Sequence, residues 1–166
     1  DYVGFARANL VIEAVVENME VKKNILAELE TKIGHDVVIA SNTSSLSISE
    51  MATALKNPER FVGMHFFNPV PLMKLVEVIR GYGTSDETVA VTTDLAKKMG
   101  KITVEVKKDS PGFIVNRIMI PHMLEAIKIV EEGIASIEDV DTAVKNGLNY
   151  PMGPFQLMDL TGVDIC

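Results

Sequence analysis

Short apolar runs alternate with amphipathic stretches over the first hundred residues. LVIEAVV (10–16) is a branched apolar run of the kind a buried parallel strand carries. Beyond it, Val21, Ile25, Leu29 and Ile33 recur every four positions among Lys and Glu, which predicts an amphipathic helix ending near Gly34. VVIA (37–40) reads as a second strand and SNTSS (41–45) as a polar loop. Ser47 and Glu50 have capping-box spacing and open a short helix through Leu55. FVGMHFF (61–67) is a third strand, and the β-α-β-α-β order predicts a parallel sheet with helices packed on it. NPVP (68–71) forces a turn, after which KLVEVI (74–79) can return antiparallel. Thr84 and Glu87 supply a second capping box for a helix over 86–98, ended by Gly100. ITVEV (102–106) predicts a strand at or near the sheet edge.

The pattern changes at Lys107. KKDSPG (107–112) is a polar break with Ser110 as N-cap and Pro111 in the first helical turn, and everything beyond reads helical. A long helix is expected over 112–131, a second after Ser136 with Asp139 as capping partner, and a short last one after the YPMGP turn. The chain therefore reads as α/β over residues 1–108 and all-helical over 109–166.

Composition narrows the partners. The 166 residues are 47% hydrophobic, enough for a sizeable core. A net charge of −7 argues against nucleic acid, yet leaves room for an anionic cofactor held by backbone amides. No apolar run is long enough to span a bilayer. The single cysteine, Cys166, allows no disulfide within the chain, which fits a reducing compartment. Asp1 stands where a methionine would start a chain and VDIC (163–166) stops abruptly, so a fragment is expected.

Ligands of open parallel α/β sheets bind outside the carboxyl ends of the strands. The first predicted strand ends at Glu17 and Asn18, the second at residues 41–45, the third at His65 with Asn68 beyond. Acid, hydroxyl, amide and imidazole groups thus gather at one edge. Glu77, inside LVEVI, follows His65 by twelve positions. If the two strands pair antiparallel about residue 71, these residues are directly opposed and share a face. A carboxylate there fixes the imidazole tautomer and raises its basicity, as a general base requires. The same spacing also suits a purely structural buried hydrogen bond. Asn116 is a lone amide on the stripe 113, 116, 120, 123 and 127, so it either bonds the neighbouring domain or faces a ligand cleft. Lys22, solvated by default, lies one turn beyond Glu17 and within reach of the site. His35 follows a helix-ending glycine, and His122 has no metal-like spacing around it.

IEAVVENMEVKK, ASNTSSLSISE, GMHFFNPVPLMKLVEVIRG, SPGFIVNRIMIP and YPMGPFQLMDLTGVD together resemble the 3-hydroxyacyl-CoA dehydrogenases, above all the short-chain, 3-hydroxybutyryl-CoA type. The resemblance runs through nearly the whole chain, and HFFNP followed by the LVE run is its most specific part. It implies the C-terminal portion of a Rossmann-like dinucleotide-binding domain over 1–108, then part of an all-helical substrate and dimerisation domain over 109–166. It also implies reversible oxidation of an (S)-3-hydroxyacyl-CoA to the 3-ketoacyl-CoA, with hydride passing to a nicotinamide. In that reading His65 takes the hydroxyl proton and Glu77 orients it. Ser44 bonds the substrate oxygen, and Asn116 helps to hold the substrate. Glu17, Lys22, Asn42 and Asn68 would line the cofactor side, with no metal. The cofactor implied is NAD, with NADP left open, and the partners are an acyl-CoA and a second copy bound through the helical domain. The compartment implied is the cytoplasm, or the mitochondrial matrix in a eukaryote.

One element departs from the family pattern. No GxGxxG occurs, and the family carries that turn upstream of where this chain begins. The 166 residues alone are therefore expected to bind dinucleotide poorly and turn over little. Three other readings stand beside the enzyme: a crystallin-like structural protein on the same fold, the dehydrogenase segment of a multifunctional fatty-acid oxidation protein, and a dehydrogenase for another substrate. HFFNP with LVE speaks against the last.

Overall fold

In the computed structural model, which describes residues 4–162, five strands form one sheet in chain order. β1 (Leu10–Glu13), β2 (Val38–Ser41) and β3 (Phe61–Phe66) are parallel. β4 (Leu75–Ile79) returns antiparallel to β3, and β5 (Ile102–Val106) lies parallel to β4 at the edge. Three helices connect them: α1 (Met19–Glu30), α2 (Ile48–Ala52) and α3 (Asp86–Lys98).

Successive strand residues point to opposite faces, which sorts the core in two. Ile39, Phe61 and Ile79 pack with Leu26 and Leu29 of α1 and with Ile48 and Met51 of α2. On the other face Ala40, Val62, Met64, Val76 and Val78 pack with Val89 and Ala96 of α3. Gly63 gives the first face its close approach: a Cβ there would lie 2.8 Å from Ile48 Cδ1 and from Ile79 Cβ. Toward the carboxyl ends of β1 to β3 this same face turns polar. Glu13, Ser41 and His65 all sit there, buried, and Glu77 lies opposite His65 in the ladder.

Several expected boundaries move. β1 stops at Glu13 rather than residue 16, because the chain curls back and Val15 N–H donates to Glu13 Oε1 at 2.7 Å. The buried face of α1 is Lys22, Leu26 and Leu29, while Val21 is 37% exposed and Ile33 lies past the helix end. α2 ends at Ala52, short of Leu55. Ser85, not Thr84, caps α3, accepting from Thr88 N–H; the Thr84 hydroxyl instead donates to Phe61 O at 2.6 Å.

The chain divides into two compact units, the first ending at Ile114 and the second beginning at Val115. The second holds α4 (Val115–Glu131), α5 (Ile137–Gly147) and α6 (Pro154–Thr161), with Met123, Ala126, Val140 and Met158 buried. α4 starts three residues later than expected, because Gly112 and Phe113 are left-handed at φ 74° and 50°. Ser136 caps α5 through Asp139 N–H, as its spacing predicts. The buried Asp141 accepts from Phe155 N–H and Gln156 N–H at 2.9 and 3.1 Å, anchoring the start of α6. No helix among the described residues is long and apolar enough to cross a membrane. Cys166 lies outside the described residues.

Candidate active site

The turn after β3 brings an acid to a histidine. Leu72 and Met73 N–H groups both bond Pro69 O at 3.0 Å, and Lys101 Nζ reaches the carbonyls of Val70 and Met73. With the turn so closed, His65 pairs with Glu77 in the ladder, and Nδ1 lies 2.8 Å from Glu77 Oε2. His65 is 3% exposed and Glu77 is 0% exposed. An ionised carboxylate only accepts, so facing one Nδ1 must donate its N–H, and in the neutral ring that tautomer puts the lone pair on Nε2. The rings of Phe67 and Phe113 lie 4.5 and 5.5 Å from the imidazole, centre to centre. They keep water from the pair, which strengthens its coupling. Glu77 Oε1 in turn accepts from Ile114 N–H at 3.0 Å.

A second polar cluster occupies the ends of β1 and β2. Glu13 accepts from Lys22 Nζ at 2.8 Å, from Ser41 Oγ at 2.6 Å and from Val15 N–H. Lys22 is fully buried; its ammonium also bonds Asn42 O at 3.2 Å and lies 3.7 Å from Glu17 Oε2. Glu17 Oε1 takes the Thr43 hydroxyl and the Ser44 N–H, while its side chain stays 41% exposed. Asn42 joins three elements: its N–H bonds Glu13 O, its carbonyl accepts from Lys22, and its side-chain oxygen accepts from Phe66 N–H at 3.1 Å. Five of the eight residues expected at the site, Glu17, Lys22, Asn42, His65 and Glu77, thus meet at one end of the sheet in the first unit. Ser44 is exposed on the loop after β2, and Asn68 is exposed after β3. Asn116 lies half-buried in the first turn of α4, in the second unit.

Comparison with known proteins decides between families that share this sheet. Residues 1–110 match the family model described as 3-hydroxyacyl-CoA dehydrogenase, NAD binding domain, and residues 112–166 match that for the C-terminal domain. The chain belongs to the 3-hydroxyacyl-CoA dehydrogenase family. The 3-hydroxybutyryl-CoA dehydrogenase of Clostridioides difficile is 48% identical over 165 residues, covering 99% of this chain and 58% of that protein. The mitochondrial hydroxyacyl-coenzyme A dehydrogenase of Homo sapiens is 51% identical over 156 residues, covering 94% of this chain and 49% of its own. A solved (S)-3-hydroxybutyryl-CoA dehydrogenase from Ralstonia eutropha superposes with a TM-score of 0.95 at 48% identity, over 99% of this chain and 58% of that one. The chain spans about half to three fifths of the length of these curated relatives.

Within this dehydrogenase-family fold, three participants escaped sequence reasoning. Glu13 carried the same signal as Glu77, an acid inside an apolar run, but its partner is on a helix and not across a hairpin. Phe113 and the Ile114 N–H reach the pair through a left-handed turn that only Gly112 announced. His35 is exposed as expected. His122 Nε2 is buried with no hydrogen-bond partner among the described residues, and its ring lies 5.9 Å from that of Tyr150. No cluster of three or more His, Cys, Asp or Glu among the described residues is placed to hold a metal.

Proposed function

We propose that the chain carries the proton-transfer centre of an enzyme that interconverts (S)-3-hydroxyacyl-CoA and 3-ketoacyl-CoA. The observation that carries this reading is the sealed His65–Glu77 pair, 2.8 Å apart, at the strand ends of an NAD-binding-type sheet. His65 Nε2 takes the proton of the 3-hydroxyl and, in reverse, returns it to the ketone oxygen. Glu77 holds Nδ1–H and balances the imidazolium that forms. Ser44 donates to the reacting oxygen, and Asn116 holds the substrate. The donor set at the strand ends fits a dinucleotide. Glu17 is an exposed acceptor for ribose hydroxyls. Asn42, its oxygen already engaged by Phe66 N–H, offers its amide N–H groups, and Asn68 is exposed two residues beyond Phe66. Lys22 supports this edge from beneath by fixing Glu17 and Asn42. When bound, NAD accepts the hydride released from C3.

The test follows NADH consumption with acetoacetyl-CoA, using the protein at its full natural length and its His65→Gln variant. Near-normal turnover in the variant would falsify the role of His65. The same reading makes the second unit a dimer contact, since Ile118, Leu124, Leu148 and Leu160 expose more than half of their surface there. Sedimentation showing a monomer at micromolar concentration would remove that part. A compartment holding NAD and CoA thioesters fits this chemistry, the cytoplasm or the mitochondrial matrix. Recovery in a membrane fraction would count against it.

A further inference from the structure

We propose that Asp109 is a positioning residue for the His65–Glu77 pair, fixing the 109–114 segment so that Ile114 N–H meets Glu77 Oε1. The inference rests on reading His65 as the base. Glu77 divides its oxygens, Oε2 toward the imidazole and Oε1 toward a backbone N–H. A backbone donor has no rotamer of its own, so its aim depends wholly on the path of the chain. Here that path is unusual. Gly112 and Phe113 are both left-handed, and phenylalanine enters that region only when its surroundings force it. The turn swings the Phe113 ring toward His65 and leaves Ile114 N–H facing Glu77. Something must fix its other end.

Asp109 does so. Its Oδ2 accepts from Ser47 Oγ at 2.6 Å and from Ser49 N–H at 2.8 Å, tying the segment to the first turn of α2. Ser110 O then takes the Phe113 N–H at 2.9 Å, closing the turn. Asp109 Oδ1 is buried with no hydrogen-bond partner among the described residues, a desolvation cost against stability. A carboxylate kept there at that cost is accounted for by what it holds in place.

The experiment uses the full-length protein with NADH and acetoacetyl-CoA, comparing Asp109→Ala, Asp109→Asn, Ser136→Ala and His65→Gln. Asp109→Ala should lower kcat about tenfold to a hundredfold, the range a misplaced catalytic group produces. Both KM values should stay within about twofold, because the binding groups are untouched. The far-downfield N–H resonance of the carboxylate-bound imidazole should shift or vanish. Asp109→Asn keeps one acceptor oxygen and should recover most of kcat and the resonance. If the alanine variant fails to fold, Ser47→Ala removes the hydroxyl donor to Asp109 Oδ2 and should lower kcat and move the resonance in the same direction, and wild-type values there would overturn the proposal. Ser136→Ala removes a helix cap remote in sequence and should cost stability without touching kcat or the resonance. Wild-type kcat and an unmoved resonance in Asp109→Ala would overturn the proposal, as would an equal kcat loss in Ser136→Ala. Full turnover in His65→Gln would instead remove the reading of the base, and this role with it.

Discussion

Glu13 and Glu77 are both acids inside apolar runs, both buried on the same sheet face, and each pairs with a group that can carry positive charge. They differ in what is left over. Glu13 has Lys22, Ser41 and Val15 N–H on its two oxygens, and Lys22 spends its donors on Glu13 and the carbonyls of Asn42 and Val15. That cluster closes on itself. Glu77 holds one nitrogen of a ring whose other nitrogen is a second proton-exchanging atom, so the pair ends in a group that can exchange a proton. A buried charge network that is saturated holds structure; one that stops at a titratable atom can do chemistry.

The largest expected effect tests the open side of this contrast. His65→Gln keeps a polar group of similar reach but no exchangeable ring proton, and should lower kcat about 10²–10⁴-fold in the NADH assay. Its melting temperature should hardly change. The closed side should behave in the opposite way. Lys22→Met strands a buried carboxylate and should cost about 3–5 kcal/mol in urea unfolding. Replacing both partners by apolar residues, Glu13→Leu with Lys22→Met, should recover most of that loss, because no uncompensated charge remains. Equal destabilisation of the single and double variants would show that the cluster is not held by charge pairing. Ser41→Ala removes one hydrogen bond to the same carboxylate and should cost about 1.5–3 kcal/mol.

The same contrast explains what the sequence made visible. His65 and Glu77 are joined by a short antiparallel return, so their opposition follows from counting outward from residue 71, and the observed register pairs these two residues. Glu13 and Lys22 meet across a strand and a helix, where no such count exists. Hydrophobic periodicity then misassigned α1, favouring Val21 and Ile33 over a lysine that is buried only because Glu13 neutralises it. The parallel order of β1 to β3 and the family were legible from alternation and motif. The left-handed Phe113 was not, since phenylalanine gives no local sign of φ 50°. Position 113 therefore read as part of a helical stripe, when the residue instead packs against the imidazole.

A further carboxylate, Glu30 at the end of α1, its side chain 8% exposed beside Arg60, sharpens the distinction through pH. Burial by itself would raise its pKa, but the N–H groups of Lys56 and Asn57, the Asn57 amide and the Arg60 guanidinium together hold it below the usual glutamate value. Folding therefore lowers this pKa, and in the window between the two values the unfolded chain binds more protons. The stability it contributes is fully present above the unfolded glutamate pKa and is lost as pH falls through the folded one. Glu30→Gln should accordingly destabilise at pH 7 by less than Ser41→Ala does, and the gap from wild type should close on acidification. Urea unfolding across an acid series measures that gap. A gap that stays constant would mean that packing and neutral hydrogen bonds hold this site. The closing gap would mark Glu30 as another self-contained network, built like the Glu13 cluster to anchor the fold and unlike the Glu77 pair, whose proton has somewhere to go.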